Sequence, residues 1–255
     1  MADLPLRARS ATEIVDAAFQ LYRRDAAQYV LITGLAYAPW LVIRLVALGA
    51  RGGPPAGTPG VVPSGLEIVA TVGEFLAFSL MTAVVVRLGS DAYHGRPLNV
   101  GAATRDVLPR LPAIIGASLV QFVLAVIGFV LLIIPALYVV ARFFATTQVI
   151  VLEGRGAFSS LGRSSELSNG RKLHILGTIG LVFVIYFVVS FGIMLLAELV
   201  GSRVLTTVLE ALYVVVAFPL IGLCSMLLYY DARIRVEAYD VEVMTGTLDP
   251  VRARP

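Results

Sequence analysis

Long apolar runs alternate with short charged segments along the whole chain. The runs are long enough to cross the roughly 30 Å hydrocarbon core of a bilayer as helices. The pattern therefore predicts an all-α membrane protein, with residues 1–255 forming a single integral membrane domain. We place its six membrane-spanning helices at about residues 28–49, 66–88, 112–131, 135–152, 173–200 and 204–230.

The apolar run from Leu111 to Leu152 predicts two spans. Its only charged residue is Arg142. At 1.5 Å per residue, this run as one helix is about twice as long as a single crossing requires. Gly128 and Pro135 lie near its middle, so we predict a helical hairpin. The turn "FVLLIIPA" is unusually apolar for a loop, and its depth in the membrane is left open.

The composition supports this class of protein. Charged residues make up 15% of the chain and hydrophobic residues 58%, whereas soluble domains carry about 25% charged residues. The mean hydropathy is +0.87. Cys224 is the only cysteine, which excludes an intramolecular disulfide. The first 26 residues mix acids with arginines, which is not typical of a cleavable signal peptide.

The basic residues predict the orientation in the membrane. The N-terminal segment, residues 87–111, residues 153–172 and the 231–255 tail each contain four Lys or Arg residues. The opposite side contains only Arg51 and Arg203. By the positive-inside rule, both termini are cytoplasmic and the 112–152 run crosses the membrane an even number of times. We expect a multi-pass protein of the bacterial cytoplasmic membrane.

Polar segments that precede spans are amphipathic. The stretch "RSATEIVDAAFQLYRRD" begins with a capping box, Ser10 and Glu13. Apolar residues then share one face of the helix, which predicts a cytoplasmic amphipathic helix within residues 1–27, lying in the interface. This face consists of Ile14, Ala17, Ala18, Leu21 and Tyr22.

A weak internal repeat accompanies these amphipathic segments. Residues 101–111 and 156–170 also precede spans, and the similar strings "LITG", "AIIG" and "HILG" open three of the spans. Self-similarity of this kind suggests three repeats of an interfacial helix followed by a transmembrane hairpin.

Ionisable residues within the spans are the first candidate site, because such groups are costly in a bilayer. Most lie in the predicted outer half of the membrane, while one lies about halfway along span four. One interpretation is ion pairing between helices, for example of Arg44 with Glu67 or Glu74. Arg142 would then pair with Glu74 or Glu210. The other is a polar cavity, open to the outside, for a headgroup, ion or small solute. The candidate residues are Arg44, Glu67, Glu74, Arg142 and Glu210.

Pro39 and Pro219 interrupt spans one and six. Prolines in spans produce tolerated kinks, and they also occur in the discontinuous helices of transporters. The two prolines therefore leave a transport function open.

The sequence contains no recognisable catalytic constellation. His94 and His174 have no His, Cys or carboxylate partner at metal-ligand spacing. The serine-rich "SSLGRSSELSNG" has no G-x-S-x-G pattern. We therefore predict no catalytic, metal-binding or cofactor-binding residues and no cofactor. The basic residues are interleaved with acids over four short segments, which does not support nucleic-acid binding.

The stretch "MLLYYDARIRVEAYDVEVM" is interpreted as a membrane exit. Tyr229 and Tyr230 end span six, and tyrosines favour the headgroup level. Arg233 and Glu237 are four residues apart, so they can pair along a helix. We predict that Arg163, Arg233 and Arg235 contact lipid headgroups.

Three stretches together resemble the glycerophosphoryl diester phosphodiesterase membrane domain family. They are "RSATEIVDAAFQLYRRDAAQYVLITGLAYAP", "VIVLEGRGAFSSLGRSSELSNGRKLHILG" and "YYDARIRVEAYDVEVM". The more specific patterns are "EG-x-G-x(5)-GRS-x-x-L-x-x-G" and "YYD-x-R-x-R-x-E-x-x-D". The resemblance implies a bacterial six-span domain. In that family the catalytic part is a separate soluble barrel, for which the 255 residues leave no room outside the spans. The hydrolase activity is therefore not carried over.

The functional expectation is a non-enzymatic integral membrane protein that organises or regulates lipids or partner proteins. The alternative is a small transporter or lipid-handling protein that uses the outer polar cluster. A third alternative, an intramembrane enzyme acting on a lipid, has Ser, His and Glu available but in no recognisable spacing. The expected partners are membrane lipids, and a protein partner or a homo-oligomer is left open.

Overall fold

The computed structural model describes residues 7–50 and 63–239, and all regular structure in these residues is helical. A 3₁₀ turn covers Leu108–Arg110, and a π-helix covers Val149–Glu153. The predicted loop around Arg51 and the tail from residue 240 onward lie outside the described residues. The helices are α1 (Ala11–Ala50), α2 (Gly65–Tyr93), α3 (Val100–Val107), α4 (Leu111–Leu131), α5 (Ile133–Arg142), α6 (Thr146–Gln148), α7 (Ala157–Leu167), α8 (Lys172–Val200) and α9 (Arg203–Glu237).

The predicted all-α membrane fold is confirmed. Six helical stretches in the described ranges are long and apolar enough to cross a bilayer. They give the chain the architecture of a multi-pass membrane protein. These stretches are Ala11–Ala50, Gly65–Tyr93, Val100–Leu131, Ile133–Glu153, Lys172–Ala197 and Arg203–Glu237.

The bundle is tightly packed at one end and open at the other. In α9, most residues from Pro219 to Ile234 are buried, whereas Val204, Leu212 and Val216 are exposed. Helix α2 likewise buries most of its C-terminal half and exposes apolar residues near its start. We call the end around Tyr93 and Tyr230 the packed end, and the opposite one the apolar end. Large apolar side chains exposed at the apolar end are suited to hydrocarbon, where they lose nothing by remaining unburied.

The first part of α1 is anchored to the packed end by two arginines. The helix is kinked at Asp25, whose φ of −129° and ψ of 29° are non-helical. On one side of residues 11–24, the Arg9 guanidinium donates to the Tyr93 hydroxyl at 2.9 Å. On the other side, Arg24 donates to the backbone carbonyl of Ala92 at 3.0 Å. Both anchors are therefore at the C-terminal end of α2.

The apolar face predicted for this segment is present, but it contacts protein. Ile14, Ala17, Ala18 and Leu21 are buried in the main hydrophobic core. Tyr22 is partly buried against the same core and stacks on Tyr29. An apolar stripe on a helix requires an apolar neighbour, and the sequence pattern alone does not distinguish protein from lipid.

The predicted hairpin in the 112–152 run is confirmed. Leu132 alone separates α4 from α5, in an extended conformation with φ of −178° and ψ of 157°. A Cβ at Gly128 would lie 2.8 Å from the Ala136 backbone nitrogen, so only glycine permits this close approach. Pro135 lies in the first turn of α5, where a backbone N–H has no helical partner to lose.

The predicted fourth span, 135–152, is interrupted. Helix α5 ends at Arg142, and residues 143–145 form a turn before α6. The Ser164 hydroxyl of α7 fills this break, accepting from the Ala145 N–H at 3.0 Å and donating to the Arg142 carbonyl at 3.2 Å. A polar side chain from a distant helix replaces the missing helical bonds. An unbroken apolar run does not reveal such a contact.

Candidate functional site

The structure pairs two of the five charged residues predicted within the spans. Arg44 of α1 forms an ion pair with Glu74 of α2, at 3.0 Å between Nη1 and Oε1. The Tyr37 hydroxyl donates to the same carboxylate oxygen at 3.3 Å. The predicted pairing of Arg44 with Glu74 is therefore confirmed, and it links α1 to α2.

The other three predicted residues have separate surroundings. Glu67 completes a capping box at the start of α2, where its carboxylate accepts from the Ser64 backbone N–H at 2.6 Å. Arg142 lies over the rings of Tyr138 and Phe143, with its guanidinium carbon 6.0 and 5.6 Å from their centroids. Glu210 is exposed.

The suggested pairs of Arg142 with Glu74 or Glu210 do not form in the described part of the chain. The break after Arg142 explains this result, because it places the arginine at the end of a ten-residue helix rather than inside a long span.

A buried carboxylate organises the packed end. The Asp231 side chain is only 2% exposed. It accepts from the Arg9 backbone N–H at 2.7 Å and from Arg235 Nε at 2.8 Å, and it lies 3.2 Å from His174 Nε2. Arg235 also donates to the Arg9 carbonyl at 2.8 Å. Charge-assisted hydrogen bonds of this kind offset the cost of removing the carboxylate from water, so Asp231 joins the N-terminal segment, α8 and α9.

A second network connects the two sequence patterns that carry the family resemblance. Arg163 of α7 lies between Glu153 and Glu237, with 3.3 Å from its Nε to the Glu153 carboxylate and a direct bond to Glu237. Arg233 pairs with Glu237 at 2.8 Å, as its i,i+4 spacing predicted. The Tyr229 hydroxyl donates to Glu153 at 3.0 Å. We call these five residues the signature network.

The backbone around Glu153 directs this acid towards its partners. Glu153 ends the π-helix, and Gly154 follows with a φ of +73°, in the left-handed region that favours glycine. The chain then turns into α7. Arg110 donates to the Val151 carbonyl within the π-helix. No sequence pattern predicted this π-helix, and the "EG" dipeptide is the local signal for the turn that follows it.

The three arginines predicted to contact lipid all have acidic partners in this chain. The side chains of Arg163 and Arg233 are only 15% and 17% exposed, and both bond to Glu237. Arg235 is paired with Asp231 but is more exposed, at 32%. Lipid contact stays a prediction for these residues, and Arg235 is the best placed of them.

An aromatic cluster around His94 was not recognised from the sequence. His94 Nδ1 donates to the Ser90 carbonyl at 2.7 Å, which leaves Nε2 to accept from the Tyr239 hydroxyl at 3.3 Å. Burial lowers the pKa of His94 below its ordinary value. Tyr230 contacts both rings, with centroids 5.4 and 5.6 Å away. A neutral histidine therefore connects the end of α2 to the end of α9.

The described residues contain no group of three or more His, Cys, Asp or Glu side chains suited to hold a metal ion.

Two adjoining apolar crevices lie between α8 and α9. Their volumes are about 180 and 170 Å³. Both are lined by Val182 and Tyr186 of α8 and by Ile221 and Cys224 of α9. The first extends towards the packed end as far as Thr178 and Leu228. The second extends the other way along both helices and also touches α1. An elongated apolar space of this kind is suited to a hydrocarbon chain.

The second crevice takes one wall from the first part of α1. It is lined by Val15, which also packs against the buried core, and by Phe19, which lies on the opposite side of the helix from Ala17. Phe19 is 40% exposed. The amphipathic segment thus packs one side into the protein and offers the other to the crevice.

No protein-family model, curated protein or solved structure matches this chain.

Proposed function

We propose that the protein is a non-catalytic, multi-pass protein of the bacterial cytoplasmic membrane that binds and organises bilayer lipids. The observation that carries this proposal is the pair of adjoining apolar crevices between α8 and α9. A lipid acyl chain fits such a space because its walls offer dispersion contacts and demand few hydrogen bonds.

The ion pairs support the non-catalytic part of the proposal. In the signature network, Arg163 of α7 bonds both to Glu153 of the π-helix and to Glu237 of α9. Around Asp231, the donors come from the N-terminal segment, α8 and α9. These groups connect helices, which is a structural role, and the resemblance to a membrane domain without its catalytic barrel agrees with it.

The distribution of basic residues supports the proposed orientation. The segments at the packed end contain most of the basic residues of the chain. Examples are Arg9, Arg96, Arg163 and Arg235. The positive-inside rule then favours a cytoplasmic location for the packed end.

Lipid binding is tested by photocrosslinking. The full chain is reconstituted with a phospholipid that carries a photoreactive group in its acyl chain, and crosslinked peptides are identified by mass spectrometry. We expect crosslinks to residues 178–189 and 213–228. Ile221→Trp, in the wall that both crevices share, fills the space and should reduce these crosslinks severalfold because the chain is excluded.

Val188→Trp is the matched control. Val188 is 61% exposed and belongs to neither crevice, so this substitution adds the same bulk to α8 without filling the space. Equal crosslinking in Ile221→Trp and wild type would contradict lipid binding in the crevices. Hydrolysis of glycerophosphodiester lipids above a lipid-only blank would overturn the non-catalytic part.

A small transporter is the second candidate function. One observation favours it: the Arg44–Glu74 pair, with Tyr37, lies among the apolar side chains of α1 and α2. Arg44 remains 42% exposed in this pair. A partly open ion pair at membrane depth is a feature of solute pathways as well as of structural contacts.

A further inference from the structure

We infer that the packed end of the α8–α9 crevices forms a headgroup site for an anionic phospholipid, with Arg171, Lys172 and Arg235 facing its phosphate. This inference rests on the proposed lipid binding and adds the charge of the lipid, its position and the residues that select it.

The basic residues continue the two walls of the crevice. Residues seven apart on a helix lie on nearly the same face, separated by about 10 Å along the axis. Arg171, whose carbonyl accepts from the Ile175 N–H at 3.0 Å, is seven residues from the lining residue Thr178. Lys172 is seven residues from Ile179. On α9, Arg235 is seven residues from Leu228.

The basic residues close the crevice at its packed end. Arg171 Nη2 donates to the Arg235 carbonyl at 2.9 Å, so the start of α8 is tied to the end of α9. Lys172 Nζ lies 5.2 Å from the centre of the Tyr138 ring. A lipid whose chain occupies the crevice would therefore have its headgroup beside three basic side chains.

The local balance of charge is positive. Among the described residues, Asp231 is the acid in contact with this group, and it already accepts from Arg235, from the Arg9 backbone N–H and from His174 Nε2. Within residues 7–50 and 63–239, no ion pair joins Arg171 or Lys172 to an acid. A phosphate fits this site because guanidinium and ammonium groups donate charge-assisted hydrogen bonds to its oxygens.

The neighbouring apolar residue places this site at the membrane boundary. Leu173, the residue after Lys172, is 86% exposed. Large exposed apolar residues then continue along α8, including Phe183 and Phe187. The change from basic to apolar residues at the start of α8 matches the change from headgroups to acyl chains in a leaflet.

The test measures which lipid the purified full chain retains. The protein is equilibrated in detergent with equimolar phosphatidylglycerol and phosphatidylcholine of identical acyl chains, and bound lipid is counted by native mass spectrometry. Wild type should prefer phosphatidylglycerol, and each basic residue should contribute about fivefold, since a charge near anionic lipid is worth about 1 kcal/mol. Arg171→Gln with Lys172→Gln should therefore lower the ratio of phosphatidylglycerol to phosphatidylcholine by about 25-fold, leaving the roughly fivefold contribution of Arg235.

Arg105→Gln is the matched control, since Arg105 is an exposed arginine of α3 outside this site. It should leave the lipid ratio unchanged. A second measurement needs no variant: 0.5 M salt should lower the preference of the wild type for phosphatidylglycerol, because screening weakens exposed charge pairs. This measurement decides the question even if the double variant does not fold.

The outcomes separate the two proposals. Equal retention of the two lipids by wild type, or an unchanged ratio in the folded double variant, would overturn the headgroup site. If Ile221→Trp nevertheless reduced retention of both lipids, chain binding in the crevice would stand. If Ile221→Trp left retention of both lipids unchanged, the proposed lipid binding would itself be wrong.

Discussion

At the residue scale, Glu153 is the acid on which the signature network depends. It bonds to Arg155 at 2.9 Å, to Arg163 at 3.3 Å and to the Tyr229 hydroxyl at 3.0 Å, with only 13% of its side chain exposed. Glu153→Gln keeps the shape but removes the charge, leaving a largely buried arginine less well paired. We expect it to lower the free energy of unfolding by about 2 kcal/mol. Denaturant unfolding of the detergent-solubilised protein measures this change.

Glu166→Gln is the control for the same arginine. Glu166 lies 3.6 Å from Arg163 but is 70% exposed, so its loss should cost no more than about 0.5 kcal/mol. Equal losses in the two variants would show that burial of Glu153 does not matter.

The contrast between these residues shows what a sequence can reveal at this scale. Arg233 and Glu237 were predicted to pair because they lie four apart on a helix, and they do. Glu153 was not singled out as an ionic hub. Its tyrosine partner is 76 residues away in the chain, and no local rule connects them.

At the element scale, α1 compensates for the proline inside α9. Pro219 has no N–H, so the carbonyl four residues before it, that of Val215, loses its helical partner. The Thr33 hydroxyl of α1 lies 2.7 Å from this oxygen and donates to it, although the Tyr29 carbonyl of its own helix is also within reach at 2.9 Å. Thr33→Val should therefore lower the free energy of unfolding by about 1 kcal/mol, in the range measured for hydrogen bonds between membrane helices. In a Pro219→Ala background this loss should fall towards zero, since the new N–H at position 219 donates to the Val215 carbonyl. Unfolding of the four proteins of this double-mutant cycle measures the coupling.

Thr82→Val controls for the loss of a hydroxyl inside a helix. The Thr82 hydroxyl donates only to Phe78 of its own helix, at 2.8 Å, so its replacement should cost the same in both backgrounds. A cost for Thr33→Val that is unchanged by Pro219→Ala would show that Thr33 does not compensate for the proline.

At the scale of the whole molecule, the lengths of the apolar runs predicted the number of long helices and the α4–α5 hairpin, because burial in lipid requires long uninterrupted apolar segments. It did not predict the break after Arg142, since Ser164 of a different helix supplies the bonds there. The crevices could not be predicted from the sequence either, because Tyr186 and Ile221 line the same space only once α8 and α9 have packed. Among the charged residues predicted within the spans, Arg44 and Glu74 form an ion pair, because α1 and α2 are neighbours in the chain and pack together.

Orientation is the remaining property of the whole molecule, and single-cysteine labelling tests it. Cys224 is buried and is the only cysteine, so Cys224→Ala provides a background with none. New cysteines at Pro97 and Asn169, both exposed, are beyond the packed ends of α2 and α7. A cysteine at Thr58 is in the loop between the first two spans, outside the described residues. In intact cells a membrane-impermeant maleimide should label Thr58→Cys, and it should label Pro97→Cys and Asn169→Cys only after permeabilisation. Labelling of Pro97→Cys in intact cells would reverse the proposed orientation. It would also place the Arg171, Lys172 and Arg235 group in the outer leaflet, where anionic lipid would have to be present for the inferred headgroup site to be used.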